Sequence, residues 1–349
     1  MIKKILYVAV TIAFVSCGSG KKTSSTTDNK IHIDQAAKFA STITAKDLGM
    51  HLFVYASDEF KGRETGEPGQ KMASKYIKDF YVNQGIISPM GGDDYYQEVP
   101  SAFLTKNSRG QKLKDSENVL AYIKGSEKPE EIIVISAHLD HLGERNGKIF
   151  NGADDDGSGT VALLEIAEAF QKAVKEGHGP KRSILFLHVT GEEKGLLGSK
   201  YYTENPIFPL ANTVTDLNID MIGRIDDRHK GNPNFVYLIG ADKLSTELHE
   251  LSESINKKYM NIDLDYKYND ENDPNRFYYR SDHYMFAQHN IPIIFYFNGT
   301  HADYHQDSDT PDKINYDLLE NRTRLIFHTA WEIANRENRL VVDKAVTKK

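Results

Sequence analysis

Residues 131–170, EIIVISAHLDHLGERNGKIFNGADDDGSGTVALLEIAEAF, join an apolar run to a helical pattern through a loop rich in acidic residues. The apolar run at 131–137 is typical of a strand that is buried on both faces of a sheet. Apolar residues at helical spacing predict a helix over 158–175. Units of this kind build α/β folds, so this stretch indicates the fold class.

The same alternation of short apolar runs and amphipathic helices continues along the chain. Further strands are predicted at 118–123, 183–189, 216–222, 235–239 and 292–297, and further helices at 34–50, 67–83, 194–204, 242–259, 281–289 and 317–336. Continuous apolar runs separated by helices favour a parallel arrangement. We therefore predict an α/β three-layer sandwich, in which helices flank a largely parallel central sheet. Residues 262–280 form the longest irregular stretch and are predicted to line an active-site rim.

Composition narrows the function classes. The chain has 349 residues and a formal net charge of −7, and it contains no long basic stretch. Proteins that bind nucleic acid carry a basic patch, so this class is set aside. The length allows a large hydrophobic core, and no composition break after residue 118 indicates a second domain. We expect residues 32–117 to pack onto the same sheet, within a single domain over 32–349.

The first residues predict export. Residues 1–17 contain a lysine pair, an apolar run of about eleven residues and a small residue before Cys17, a pattern typical of a secretory signal peptide. FVSC at 14–17 is similar to a bacterial lipobox, in which the cysteine becomes the lipidated first residue. Cys17 is also the only cysteine of the chain, so no internal disulfide is expected. We predict a lipid anchor at the outer membrane, facing the periplasm or the cell surface, with residues 18–31 as a flexible tether.

Acidic and imidazole side chains recur after successive predicted strands. They are His138, Asp140 and His141, then Asp154 to Asp156, then Glu192 and Glu193, then Asp220, then His305 with Asp307 and Asp309. Ligands of open α/β sheets bind beyond the carboxyl ends of the strands. Nitrogen and carboxylate ligands without thiolate suit zinc, and this number of carboxylates suits two ions. Each feature alone has another explanation, such as a helix cap or charges that complement a helix dipole. Their recurrence at five strand ends favours a metal site.

Five segments together resemble a known family, and they are SAHLDH (136–141), NGADDDGSG (151–159), TGEEKGLLGS (190–199), NIDMIG (218–223) and YHQDSDT (304–310). In this order they are similar to the signature blocks of the aminopeptidase Y family of zinc metallopeptidases. This family includes secreted bacterial leucyl aminopeptidases, glutamate carboxypeptidases and glutaminyl cyclases. The stretch DEFKGRETGEPG at 58–69 is also similar to the family's N-terminal region. The resemblance runs from about residue 55 to about residue 335 and implies a fold of the zinc-dependent exopeptidase type.

The resemblance implies two Zn²⁺ ions held by five side chains, with His138 and Asp220 on one ion, Glu193 and His305 on the other, and Asp154 between them. It implies that Glu192, which is not itself a ligand, acts as the general base. It also implies that a cis peptide links Asp154 to Asp155.

Three further residues are expected to support the ligands. Asp140 lies two positions after His138, so in a strand both side chains face the same side, and Asp140 is placed to accept the second imidazole proton. Asp155 is expected to shape the loop, and Asp282 to lie behind the metal site, where it has a helix cap as its alternative role. His141, His301 and Asp303 are expected near the ligands as rim residues.

The implied activity is hydrolysis of the first bond of peptides that have a free N-terminus. Relatives that are glutaminyl cyclases use one zinc and lack the second Asp of the GADDD segment. A glutamate carboxypeptidase would carry an inserted protease-associated domain, for which residues 57–118 are too few, and a basic pocket, for which the chain offers only Arg276 and Arg280. A non-catalytic binding lipoprotein of the same fold would show broken ligand blocks. An aminopeptidase is therefore expected first, with these three alternatives behind it.

Overall fold

Eight strands form one mixed sheet within residues 34–107 and 110–345, the part of the chain that this computed structural model describes. In chain order, the strands are β1 (Tyr96–Val99), β2 (Ser116–Ile123), β3 (Lys128–His138), β4 (Gly143–Arg145), β5 (Lys148–Phe150), β6 (Arg182–Val189), β7 (Thr213–Ile219), β8 (Phe235–Ile239), β9 (Asp263–Asp265) and β10 (Ile293–Phe297). Strands β4 and β5 form a separate antiparallel ribbon. The other eight have the spatial order β1-β2-β6-β3-β7-β10-β8-β9.

The centre of the sheet is parallel, as predicted. Strands β6, β3, β7 and β10 run in the same direction, and β8 and β9 are parallel to each other. Antiparallel pairs join β1 to β2, β2 to β6, and β10 to β8. The continuous apolar runs therefore correspond to buried strands, and the antiparallel pairs lie to either side of the parallel centre.

Helices cover both faces of this sheet, and their bounds are α1 (Gln35–Ala40), α2 (Ala45–Tyr55), α3 (Pro68–Gln84), α4 (Ser101–Asn107), α5 (Gly159–Lys175), α6 (Leu197–Glu204), α7 (Thr246–Tyr259), α8 (His283–Ala287) and α9 (Tyr316–Asn335). Alternate residues of β3 show the two faces. Ile133 and Ile135 pack in one core with residues of α1, α2, α3, α5, α7 and α9, whereas Ile132 and Val134 pack in a second core with residues of α6 and α8. The predicted three-layer α/β sandwich is confirmed.

Some elements differ from the prediction. The helix expected over 34–50 is two helices, because Thr44 adopts an extended backbone and its hydroxyl accepts a hydrogen bond from Asp47 N at 3.1 Å, which starts α2. The short strand β1 and helix α4 were not predicted. The irregular stretch 262–280 contains the short strand β9, which pairs with β8.

From Asp34 onward, the described residues form one compact unit. The predicted signal peptide with Cys17, and the predicted tether at 18–31, lie outside the described residues. Among the helices of the described part, none is both long enough and apolar enough to cross a membrane.

Candidate metal centre

The parallel strands bring the predicted site residues to one edge of the sheet. His138 is the last residue of β3, Asp220 directly follows β7, and Glu192 comes three residues after the end of β6. His305 lies in the loop after β10. Because these four strands are parallel, their carboxyl ends meet at the same edge, as the sequence pattern predicted.

A first group of metal-ligating atoms surrounds His138. Its Nε2 lies 3.1 Å from Asp155 Oδ1 and 3.7 Å from Asp220 Oδ1. The three ligand atoms of this group all lie within 4.8 Å of one another, and all three residues are buried. One nitrogen and two carboxylate oxygens at this spacing match the ligand preferences of zinc.

A second group lies on the other side of Asp155. His305 Nε2 is 3.0 Å from Asp155 Oδ2 and 3.5 Å from Glu193 Oε1. His141 Nδ1 is 2.8 Å from the same Glu193 oxygen and 3.8 Å from Asp155 Oδ2. His141 was expected only at the rim, yet it is fully buried and faces this second position. The repeated imidazole of the HLDH segment is the sequence signal for this role.

Asp155, rather than the predicted Asp154, stands between the two groups. Its Oδ1 faces His138 and its Oδ2 faces His305. The Asp154 carboxylate turns away, since its Oδ1 accepts hydrogen bonds from Gly223 N at 2.7 Å and Ser158 Oγ at 3.0 Å.

The cis peptide is also one residue later than expected. It links Asp155 to Asp156, not Asp154 to Asp155. Gly152, with φ of +52°, starts this segment, and a Cβ there would lie 2.5 Å from the His141 ring. Glycine therefore allows the loop to pass close to His141.

Asp156 braces the loop instead of facing the centre. Its Oδ2 accepts a hydrogen bond from His138 N at 3.0 Å, and its Oδ1 accepts from Met221 N at 3.1 Å and Gly159 N at 2.9 Å. The last bond caps the start of α5. Asp156 therefore shapes the loop before the helix, the role that was expected of Asp155.

Asp140 supports the centre differently from the prediction. His138 Nδ1 lies 2.9 Å from the backbone oxygen of Asp140, while the Asp140 carboxylate is 3.9 Å away. The reason is that β3 ends at His138, so the strand geometry on which the prediction relied does not extend to Asp140. The carboxylate instead accepts hydrogen bonds from Thr65 Oγ1 at 2.6 Å and from Glu192 N at 3.1 Å. Asp140 thus orients Glu192.

Asp220 is held by a hydroxyl from the segment that contains Asp282. Ser281 Oγ donates to Asp220 Oδ2 at 2.6 Å. Asp282 is fully buried, and its Oδ1 accepts from Ser199 Oγ at 2.5 Å. Burial raises the pKa of Asp282 to about 7. Of the two neighbours, Ser281 makes the direct contact with a ligand.

Two residues to which the sequence analysis gave no role fix the loops. Arg63 is buried and donates to three backbone oxygens of the site loops, those of Leu139, Asn151 and Gly152, at 3.2, 2.6 and 2.8 Å. Asp309 Oδ2 accepts from the backbone of Asp154 and Asp155 at 3.0 and 3.2 Å. Arg63 lies in the DEFKGRETGEPG stretch and Asp309 in the YHQDSDT segment. Both segments contributed to the resemblance, but the sequence did not indicate that these two side chains bind the backbone of the site loops.

The two adjacent glutamates differ in their electrostatic surroundings. Burial raises the pKa of Glu192 well above its ordinary value, and the nearby Glu193 and Asp220 carboxylates add to this. Burial also opposes ionisation of Glu193, but the neighbouring imidazoles of His141 and His305 lower its pKa to about 2. Glu193 is therefore held as a carboxylate, whereas Glu192 has a high affinity for a proton.

The imidazoles respond to the same carboxylates. Burial lowers the pKa of His305, but the nearby carboxylates of Asp155 and Glu193 outweigh it and raise the pKa to about 10. Burial raises the pKa of Asp155, yet His141, His138 and His305 bring it well below its usual range. The centre thus gathers negative charge that attracts cations.

Several buried atoms of the centre lack hydrogen-bond partners, and they are His138 Nε2, His141 Nδ1, His141 Nε2 and Glu193 Oε1. Buried polar atoms are almost always hydrogen-bonded, so this concentration needs a cause. Three of the four, His138 Nε2, His141 Nδ1 and Glu193 Oε1, belong to the two groups described above. There each nitrogen lies close to a carboxylate oxygen without the geometry of a hydrogen bond. These residues fit a pair of divalent metal ions.

Two depressions adjoin the centre. A small pocket beside Asp220 is lined by Met221, Phe277, Phe295 and Phe297 on one side and by polar residues that include Glu192 on the other. On the Glu193 side, an open cleft of about 560 Å³ is lined by residues that include Lys194 and Tyr279.

Comparison with known proteins agrees with this geometry. Residues 118–330 match the profile of Peptidase family M28. A probable zinc metalloprotease of Pyrenophora teres f. teres (strain 0-1) is 31% identical over 243 residues, which are 58% of this chain and 47% of that protein. Leupeptin-inactivating enzyme 1 of Streptomyces exfoliatus is 28% identical over 254 residues, which are 72% and 48% of the two chains. The chain thus spans about half the length of these curated relatives.

The fold agrees with a solved structure as well. The crystal structure of the LapA aminopeptidase of Legionella pneumophila matches with a TM-score of 0.66 and 21% identity, over 88% of this chain and 76% of that one. This likeness supports the α/β fold alone. The profile match covers more than half of the chain, and it confirms the resemblance to zinc metallopeptidases: the chain belongs to peptidase family M28.

Proposed function

We propose that this protein is a zinc-dependent aminopeptidase that uses two Zn²⁺ ions and hydrolyses the N-terminal bond of peptides. The observation that carries the proposal is the position of Asp155, whose two carboxylate oxygens each face a separate group of ligand atoms. A carboxylate shared in this way is what a two-metal site needs.

The ligand set follows from the two groups. His138 and Asp220 would hold one ion, Glu193 and His305 the other, and Asp155 would bridge them. This assigns to Asp155 the role that the resemblance implied for Asp154. His141 would support the second ion through its contact with Glu193. When bound, zinc supplies Lewis acidity that polarises a carbonyl group and makes water easier to deprotonate.

Glu192 would act as general base and acid. It lines the same pocket as Asp155, Asp220 and His305, but it belongs to neither group of ligand atoms. Its raised pKa suits a group that takes a proton from the attacking water and returns it to the departing amine. Asp140 holds the backbone of Glu192 in place through the 3.1 Å hydrogen bond.

The shape and charge of the site favour a free N-terminus on the substrate. An exopeptidase needs a place for the terminal residue and an open side for the rest of the chain, and the small pocket and the cleft would serve these two purposes. The acidic centre would attract the ammonium group of the substrate.

The experiment compares an unblocked peptide with its N-acetylated form, for example Leu-Gly-Gly and acetyl-Leu-Gly-Gly, with zinc present. We expect hydrolysis of the first and no hydrolysis of the second, and we expect a chelator to abolish activity. Equal rates on the two peptides would contradict an aminopeptidase.

We also propose that Cys17 carries a lipid and anchors the protein to a membrane on the exported side. The support is the signal-like pattern of residues 1–17, with the lone cysteine at its end. In a bacterial host, Cys17→Ala should move the protein from the membrane fraction to the soluble fraction while the activity per molecule stays the same. If both forms fractionate as soluble protein, the anchor is excluded.

A further inference from the structure

The cations beside the candidate metal centre differ in whether a carboxylate neutralises them. Lys194 Nζ lies 3.0 Å from Glu64 Oε1, and Arg224 Nη2 lies 2.8 Å from Asp303 Oδ2. For Arg280, by contrast, no carboxylate of the described residues lies within 4.0 Å of the guanidinium group. The charge of Arg280 is therefore left for a ligand from outside.

Aromatic contacts hold Arg280 in place even though its side chain is exposed. The guanidinium carbon lies 4.8 Å from the centre of the Phe277 ring, and Nη2 lies 3.4 Å from the Tyr304 hydroxyl. Tyr304 in turn stacks on His305 with a centroid distance of 3.9 Å. Arg280 is thus linked through Tyr304 to a proposed metal ligand, while most of its five N–H donors stay available.

Arg280 also lies at the boundary between the two depressions, since it lines both the small pocket and the open cleft. A guanidinium group binds carboxylates through paired hydrogen bonds, and it does so most strongly where water is partly excluded. Its position near the reacting bond suits recognition of the substrate itself.

We propose that Arg280 binds a carboxylate on the leaving side of the cleaved bond, so that the enzyme favours dipeptides, whose C-terminal carboxylate lies one residue beyond that bond. This inference rests on the proposed aminopeptidase function. The leaving side is favoured because the small pocket for the terminal residue already contains the carboxylates of Asp155, Glu192 and Asp220, which would repel another carboxylate. Arg280 is exposed towards the cleft, where the rest of the substrate lies.

The test compares three substrates that differ in their carboxylates. Leu-Gly has a C-terminal carboxylate, Leu-Gly-amide has none, and Glu-Gly-amide has one only on the terminal side chain. We expect kcat/KM to be higher for Leu-Gly than for Leu-Gly-amide in the wild-type protein. Arg280→Gln should lower the ratio of kcat/KM for Leu-Gly to kcat/KM for Leu-Gly-amide about tenfold, mainly by raising KM for Leu-Gly. A change of about tenfold is the usual contribution of a hydrogen bond to a charged group.

Two further variants serve as controls. Arg276→Gln should leave the ratio unchanged, since Arg276 also stacks on an aromatic ring, that of Tyr279 at 4.8 Å, but lines neither of the two depressions. Arg280→Lys should give an intermediate ratio, because an ammonium group keeps the charge but loses the paired geometry.

The outcomes separate this inference from the proposed function. Suppose that unblocked substrates are cleaved but Arg280→Gln leaves the ratio of kcat/KM for Leu-Gly to that for Leu-Gly-amide unchanged, or changes only kcat/KM for Glu-Gly-amide. In either case the proposed carboxylate site on the leaving side is wrong. Binding of Leu-Gly and Leu-Gly-amide to zinc-loaded Glu192→Gln, measured by calorimetry, gives a readout without turnover. If no peptide is cleaved but binding discriminates the two through Arg280, the aminopeptidase function fails and the carboxylate site stands. If neither turnover nor binding depends on Arg280, the inference is overturned.

Discussion

The edge of the sheet and the helical layer both bury a carboxylate beside an imidazole, with different results. At the edge, Asp155 lies within 3.1 Å of both His138 and His305, and its pKa stays well below the usual range. In the helical layer, Glu165 of α5 is 2% exposed and lies 3.6 Å from His51. There burial raises the pKa of the carboxyl group to about 8.

The difference lies in the number of partners that the fold supplies. Burial penalises the charged form of both acids, but three imidazoles surround Asp155 and only one, itself hydrogen-bonded to Tyr76, lies near Glu165. A buried acid thus stays ionised and available to a metal only where several strand ends meet. In the helical layer, burial favours the neutral form, and the acid becomes a source of pH-dependent stability.

We expect the largest effect from substituting Asp155, with Asp154 substituted for comparison. Asp155→Asn removes the one carboxylate that the two ligand groups share, so we expect bound zinc to fall sharply and activity to fall to background. Asp154→Asn should retain both ions, because Asp154 bonds to Gly223 and Ser158 rather than to ligands. Zinc content by mass spectrometry and activity, measured on both variants with circular dichroism as a folding control, checks this. Zinc loss only in Asp154→Asn would restore the assignment that the resemblance implied.

The next effect separates the adjacent glutamates. Glu192→Gln should keep both zinc ions and bind substrate with similar affinity, while kcat falls by about 10² to 10⁴, the usual contribution of a positioned proton carrier. Glu193→Ala should lower zinc affinity as well as rate, and excess zinc should restore part of its activity. Metal content and kcat are measured on both variants side by side. A Glu192→Gln protein that loses zinc, or turns over at a near wild-type rate, would show that the base is another residue.

The sequence predicted most of the fold because continuous apolar runs at 131–137, 183–189 and 216–222 leave a parallel α/β arrangement as the simplest way to bury them. The break between α1 and α2 was missed because it depends on one cap at Thr44, within an unbroken apolar pattern. The edge strand β1 has only four residues, which is too short for a periodic signal.

The sequence predicted which types of residue form the site, but not which of the consecutive acids faces the centre. Three consecutive acids at 154–156 are equivalent in sequence, and which of them faces the centre depends on partners elsewhere in the chain. Gly223, Ser158 and His301 engage Asp154, and Met221 and Gly159 engage Asp156. Only Asp155 is left to face the imidazoles of His138 and His305. Such long-range contacts, like the backbone bonds of Arg63, cannot be derived from spacing along the chain.

The smallest effect concerns Glu165, and it tests the helical side of the comparison. Its pKa is about 8 in the folded state and near 4.5 when solvated, so the folded state binds the proton more tightly between these values. Stability should therefore fall as the pH rises from about 4.5 to about 8 and stay lower above it. Glu165→Gln is neutral at every pH, so at pH 9 it should be more stable than wild type by at least about 1 kcal/mol.

At pH 5 the wild-type carboxyl group is already mostly protonated, and the two proteins should unfold at nearly the same urea concentration. Urea unfolding at pH 5 and pH 9 measures how the difference in the free energy of unfolding between Glu165→Gln and wild type changes with pH. Glu168→Gln is the matched control, since it removes a charge one turn away on the same helix, where the side chain is more exposed and pairs with Lys172 at 2.8 Å. Its stability difference should depend less on pH. If the stability difference between Glu165→Gln and wild type is equal at pH 5 and pH 9, the Glu165 carboxyl group titrates normally. Burial in the helical layer would then not favour its neutral form, and the contrast with Asp155 at the sheet edge would be wrong.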